Sequence, residues 1–159
     1  MEFGARALGN RSILANPRDP WMRDKLNKVI KKREGFRPFA PAVTEERFDQ
    51  FFDSQEISPY MSKVVKSKTE LIPSATHIDN TCRVQTVSKN QNKKFHKLIT
   101  QIGSQTGIPV VLNTSFNLKD QTITLTPDQA VKRFINSNID FLVINNFLIQ
   151  KKNDNNKVD

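Results

Sequence analysis

Ile108-Pro109-Val110-Val111-Leu112-Asn113-Thr114-Ser115-Phe116-Asn117 is the stretch on which the fold turns. Its first half, Ile108 to Asn113, is a short and nearly continuous apolar run, the pattern of a strand buried on both faces. Helical patterns flank it. Upstream, Phe95, Leu98, Ile99 and Ile102 recur at helical spacing after Ser88 and Gln91, which have capping-box spacing, and Gly103 to Gly107 ends that helix. Downstream, Thr126-Pro127-Asp128-Gln129 starts a last helix that carries Ala130, Val131, Phe134 and Ile135 inward.

The same alternation continues outward. Arg11 to Ala15 reads as a short strand after a glycine-flanked loop. Asp19-Pro20 opens a helix whose apolar face is Met22, Leu26, Val29 and Ile30, ending near Glu34-Gly35 with Gly35 as its C-terminal cap. Arg37 to Val43 is extended. Thr44-Glu45-Glu46 opens a short helix whose Phe48, Phe51 and Phe52 form a core stripe. Tyr60 to Lys66, Cys82 to Val87 and Gln121 to Leu125 read as strands, and Phe141–Ile144 with Phe147–Gln150 reads as a hairpin around Asn145-Asn146. Strands alternating with helices predict an α/β layer structure with a mixed, twisted sheet.

The chain has 159 residues, enough for one domain, with one cysteine and no apolar run of membrane-spanning length. A lone Cys82 and an N-terminus unlike a signal peptide predict a reducing, cytoplasmic setting. The net charge is +9, and residues 1 to 37 hold ten Lys/Arg against four Asp/Glu. Such a concentration of positive potential at one end favours phosphate-bearing ligands or nucleic acid. No RNP-type aromatic motif accompanies it, and the phenylalanines fit a core, so nucleic acid is the lesser expectation.

Four groups of residues carry candidate chemistry. In Lys31-Lys32-Arg33-Glu34-Gly35-Phe36-Arg37-Pro38-Phe39-Ala40-Pro41, a cationic helix end runs into a proline-fixed extended segment. Lys31 and Arg37 can aim at an oxyanion there, although a solvated helix end before an edge strand explains the same residues. Ser115 and Asn117, just beyond the buried strand, face the same way in extended backbone and can hydrogen-bond phosphate, ribose or a carboxamide; a plain turn is the alternative. Arg83 sits mid-strand and must pair with something, either in a structural salt bridge or with a ligand. Arg6 lies between Gly4 and Gly9, whose freedom lets backbone approach a ligand. No metal site emerges: His77 and His96 stand 19 residues apart without ligand-spaced partners. His96 reads as a solvated helix residue, and His77 beside Asp79 as a local hydrogen bond.

These stretches, with Met1 to Ser12, resemble the C-terminal part of the NodU/CmcH/TobZ family of O-carbamoyltransferases, which is similar in fold to the YrdC/Sua5 nucleotide-binding domain. The resemblance runs from residue 1 to about Lys152, leaving residues 153–159 as a disordered polar tail. It implies a YrdC-like twisted mixed sheet with flanking helices. It also implies that Lys31, Arg37 and Arg83 are catalytic, and that Arg6, Lys31, Arg37, Arg83, Ser115 and Asn117 bind nucleotide and carbamoyl phosphate. ATP with Mg²⁺ is the implied substrate pair, carbamoyl-adenylate the implied intermediate, and a hydroxylated small molecule or glycan the implied acceptor. Acceptor chemistry and the family's metal site belong to a larger N-terminal Kae1-like domain, absent from this sequence, so the isolated chain is expected not to complete the transfer. Arg11 serves the phosphate site or a carboxylate of that domain. The sequence departs from the family at Ala5 (Pro), Asn80 (Gly) and Cys82 (Ala), which leaves Arg6 loosely placed and Cys82 oxidisable. A basic, non-catalytic nucleotide- or RNA-binding module, or a truncated fragment, is the alternative reading.

Overall fold

The computed structural model describes residue 4 and residues 6–152, and the expectations resting on Ala5 and on 153–159 fall outside them. The main sheet is four-stranded, in the order β1-β7-β2-β6. Its members are β1 (Ser12–Ala15), β2 (Ala40–Thr44), β6 (Gln85–Val87) and β7 (Val110–Ser115). β7 runs antiparallel to both β1 and β2, whereas β2 and β6 are parallel. A second sheet of three antiparallel strands comprises β3 (Phe52–Asp53), β4 (Val64–Ser67) and β5 (Thr81–Arg83). The hairpin β8 (Phe141–Ile144) and β9 (Phe147–Gln150) stands apart, turning at Asn145 with φ 54°. The chain is an α/β protein with mixed strand pairing.

β7 shows why its apolar run reads as doubly buried. Val111 packs with Ala42, Val87, Phe95 and Ile99 beneath α3 (Lys93–Thr106). Leu112 faces the opposite way, into a core of Ile13, Leu26, Ile30, Phe39 and Phe134, the last from α4 (Pro127–Ile135). Val110 joins a third cluster with Phe48, on α2 (Phe48–Phe51), and Phe52, whose rings stack at 5.6 Å, so the predicted phenylalanine stripe is core.

Several boundaries differ from the sequence reading. The first helix is a short α1 (Met22–Asp24) that widens into a π-helix, Lys25–Lys31. Widening shifts the phase, so Leu26, Asn27, Ile30 and Lys31 turn inward while Val29 is exposed. The helix ends at Lys32, left-handed at φ 46°, and not at Gly35. The Cys82–Val87 strand is two strands in two sheets, divided at the fully buried Val84, where the chain turns from β5 into β6. Tyr60 lies outside β4 and is exposed.

Asn92, not the Ser88/Gln91 pair, caps α3 by accepting from Phe95 N, because the Ser88 hydroxyl is taken by Asn90 N. Leu98 and Ile135 are exposed. Gln121–Leu125 forms no strand, since Thr124 N and its hydroxyl both bond the Phe116 carbonyl and Arg133 occupies the Thr122 carbonyl. His96 is buried instead of solvated, with Nε2 2.7 Å from Glu46 across the fold. Cys82 is fully buried and burial pushes its thiol pKa up, so it is protected instead of oxidisable. Thr126 caps α4, and the His77 ring meets the Thr81 hydroxyl four residues on, a local contact, both as the residues predict.

Candidate functional site

Strand directions gather the polar ends of the sheet. The C-terminal end of β7, the N-terminal end of β2 and the β5–β6 corner all meet at one edge, where the segment around Arg6 returns. There a pocket of about 180 Å³ is lined by Arg6, Arg33, Phe39, Arg83, Asn113 and Ser115, among others that include Met61. Three guanidiniums therefore share a small space with no carboxylate in its lining. Burial, reinforced by neighbouring guanidiniums, pushes the pKa of Arg33 and Arg83 below the usual arginine range. Arginine nonetheless stays charged in proteins, so the pocket lining carries net positive charge.

Arg33 is a residue that the sequence reading quotes within the basic stretch but does not single out. Its Nε donates to Asn27 Oδ1 at 2.8 Å, and its guanidinium lies 4.8 Å from the centroid of Phe39. Asn27 also donates through Nδ2 to the carbonyls of Gly35 and Arg37, at 3.1 and 2.9 Å. One buried asparagine on the π-helix therefore shapes the whole 33–37 turn. No spacing rule reveals this, because the π-helix itself brings Asn27 inward.

Lys31 sits behind the pocket wall. Its Nζ donates to the Ser115 carbonyl (2.5 Å), the Asn117 carbonyl (3.0 Å) and Asn117 Oδ1 (2.8 Å). Ser115 Oγ in turn donates to Asn117 Oδ1 at 2.5 Å. Burial first, and Arg33 second, push the Lys31 pKa down to about 7. Lys31, Ser115 and Asn117 thus form one network, and Ser115 carries it to the pocket. Arg37 stands elsewhere: half-exposed, it pairs through Nε with Glu34 at 2.9 Å and does not line the pocket. Among the described residues no group of three or more His, Cys, Asp or Glu is arranged to hold a metal.

A family model described as the carbamoyltransferase C-terminus matches residues 1–151. The chain belongs to that family. It is 46% identical over 157 residues to nodulation protein NolNO of Sinorhizobium fredii, covering 95% of this chain and 23% of that protein. It is 41% identical to nodulation protein NolO of Bradyrhizobium diazoefficiens, covering 95% of this chain and 29% of that one. Nodulation protein U of the same bacterium is 42% identical over 119 residues, 73% of this chain and 21% of its own. The chain therefore spans about a quarter of the length of the curated relatives it matches. No helix among the described residues is long and apolar enough to cross a membrane.

Proposed function

We propose that the pocket binds the phosphates of carbamoyl phosphate and ATP, and that this domain makes carbamoyl-adenylate for an O-carbamoyl transfer. The carrying observation is the convergence of Arg6, Arg33 and Arg83 on a pocket without a lining carboxylate, in a chain of the carbamoyltransferase C-terminus family. At about 180 Å³ the pocket is smaller than the roughly 300–1,000 Å³ clefts that enclose drug-sized ligands. It suits one phosphorylated small group, with the nucleoside extending along the mouth.

Carbamoyl phosphate is first hydrolysed to carbamate and inorganic phosphate. A carbamate oxygen then attacks the α-phosphorus of ATP, the bond to the β-phosphate oxygen breaks, and pyrophosphate leaves with the electron pair. Arg6, Arg33 and Arg83 stabilise charge on the phosphate oxygens during this exchange. Lys31 acts through the 115–117 loop, holding Ser115 at the pocket wall, and Arg37 contributes long-range field. Mg²⁺ travels with the nucleotide, held by its phosphates, since the pocket lining offers no carboxylate. The hydroxyl oxygen of a small-molecule or glycan acceptor then attacks the carbamoyl carbon in a Kae1-like domain, in the same chain or a separate one; the bond to the adenylate phosphate breaks, AMP leaves with the electron pair and the hydroxyl proton is released. Coverage of only about a quarter of the relatives' length supports housing that step elsewhere. So does an exposed apolar surface on the hairpin, with Phe141, Val143, Phe147 and Leu148 open to a covering partner. A cytoplasmic setting supplies the nucleotide.

Calorimetry with ATP-Mg²⁺ and with inorganic phosphate tests the pocket. Arg33→Ala or Arg83→Ala should weaken binding by about 10- to 100-fold, one charge-assisted contact, while Arg37→Ala stays within about threefold. Equal losses at all three positions would mean a diffuse positive field, and no binding by the parent chain would overturn the reading.

A further inference from the structure

Between the guanidiniums and the sheet lies a pair of buried amides, Asn113 on β7 and Gln85 on β6. Gln85 Nε2 donates to the Leu8 carbonyl at 3.1 Å, leaving Gln85 Oε1 to accept from Asn113 Nδ2 at 2.6 Å. The other hydrogen of Asn113 Nδ2 goes to the Ala7 carbonyl at 3.0 Å. The two backbone carbonyls fix both amide orientations, because turning either amide over sets oxygen against oxygen. Asn113 Oδ1 is consequently buried with no hydrogen-bond partner among the described residues, on a residue that lines the pocket.

A buried acceptor left unpaired is costly, and it sits here in a pocket otherwise rich in donors. Unprotonated phosphate oxygens are acceptors and cannot use it. A carbamoyl group can, since its amino nitrogen offers two N–H donors beside the phosphate-bearing oxygen. We propose that Asn113 Oδ1 receives an N–H of the carbamoyl amino group, which makes Asn113 the residue that separates carbamoyl from acyl groups of the same shape. Gln85 and the Ala7–Leu8 backbone are its positioning partners. The inference rests on the phosphate-pocket reading above.

The probes are inorganic phosphate, carbamoyl phosphate and acetyl phosphate, whose methyl group replaces the amino group at nearly constant shape. The parent chain should bind carbamoyl phosphate at least about tenfold more tightly than acetyl phosphate, the value of one hydrogen bond whose loss strands a buried acceptor. In folded Asn113→Ala that preference should collapse to within about twofold; it is read as the ratio of the two affinities in one variant, because losing the bond to the Ala7 carbonyl beside Arg6 also bears on phosphate binding. Phosphate binding without carbamoyl preference in the parent, or a preference that survives Asn113→Ala, sinks the assignment and leaves the phosphate pocket standing. Failure to bind any of the three sinks the pocket reading itself. Should Asn113→Ala not fold, the Asn113 side-chain ¹⁵N–¹H₂ resonances of the parent carry the test. They should move with carbamoyl phosphate beyond the shift that acetyl phosphate gives, and equal shifts overturn the proposal.

Discussion

Lys31 is a buried ammonium surrounded by oxygens of the 115–117 loop, and its depressed pKa leaves a pH signature. In the folded chain it titrates at about 7, against 10.5 for an ordinary lysine. Between those values the unfolded chain binds the extra proton, so stability rises as pH climbs from about 7 toward 10.5. The melting temperature of the parent chain, minus that of Lys31→Met, should therefore increase by several degrees from pH 7 to 10; a flat difference contradicts the depressed pKa. Asn117→Ala removes a bond to the same ammonium and should cost roughly 1–3 kcal/mol in urea unfolding. The Lys31→Met/Asn117→Ala double variant should lose clearly less than the sum of the singles, because one network is broken twice. At this scale the sequence was partly legible. Arg6, Arg83 and Ser115 can be picked out from their segments, and all three line the pocket. Arg33, Asn113 and Gln85 cannot: the π-helix, which no spacing rule reveals, turns Asn27 toward Arg33, and the two amides take their roles from the Ala7 and Leu8 carbonyls, remote in sequence.

Among the elements, the helices expose where spacing rules stop working. An apolar repeat locates the Met22–Lys31 helix but not its π-helical widening, and glycine at 35 suggests a cap that the backbone places three residues earlier. Lys32 takes the left-handed conformation at φ 46°, which glycine adopts without strain. Lys32→Gly should thus stabilise by about 0.5–1 kcal/mol, the relief of left-handed strain less a lost charge near the helix C-terminus. A lowered denaturation midpoint would argue that Lys32 holds the turn through its side chain. Gly103 poses the reverse case on α3. A Cβ there would lie 2.6 Å from Pro109 Cβ and 2.9 Å from Pro109 Cα, so the helix rests directly on the approach to β7. Gly103→Ala gains about 1 kcal/mol of helix propensity, but the clash is with backbone and should cost more, for a net loss of about 1–2 kcal/mol in denaturant titration. An unchanged midpoint would show that α3 can shift on the sheet.

At the level of the whole molecule, the α/β layering was legible because it depends on local periodicity, which the chain displays in nearly every segment. The sheet order was not, since it depends on which strands meet, and no neighbouring strands in the main sheet follow one another in sequence. Non-local pairing of this kind slows folding, and refolding of this chain should fall in the millisecond-to-second range typical of high contact order. A stopped-flow phase completed within microseconds would contradict that topology. The central position of β7 has a further consequence during synthesis. β1 and β2 leave the ribosome nearly seventy residues or more before Val110–Ser115, the strand that joins them. Until it arrives, β1 has no main-sheet neighbour, and the three-residue register of β2 with β6 is all that can form. Residues 1 to 37, with ten Lys/Arg against four Asp/Glu, thus spend much of translation as an unsheltered, positively charged nascent segment close to ribosomal RNA, and chaperones that bind extended basic-apolar stretches meet it before its own sheet does.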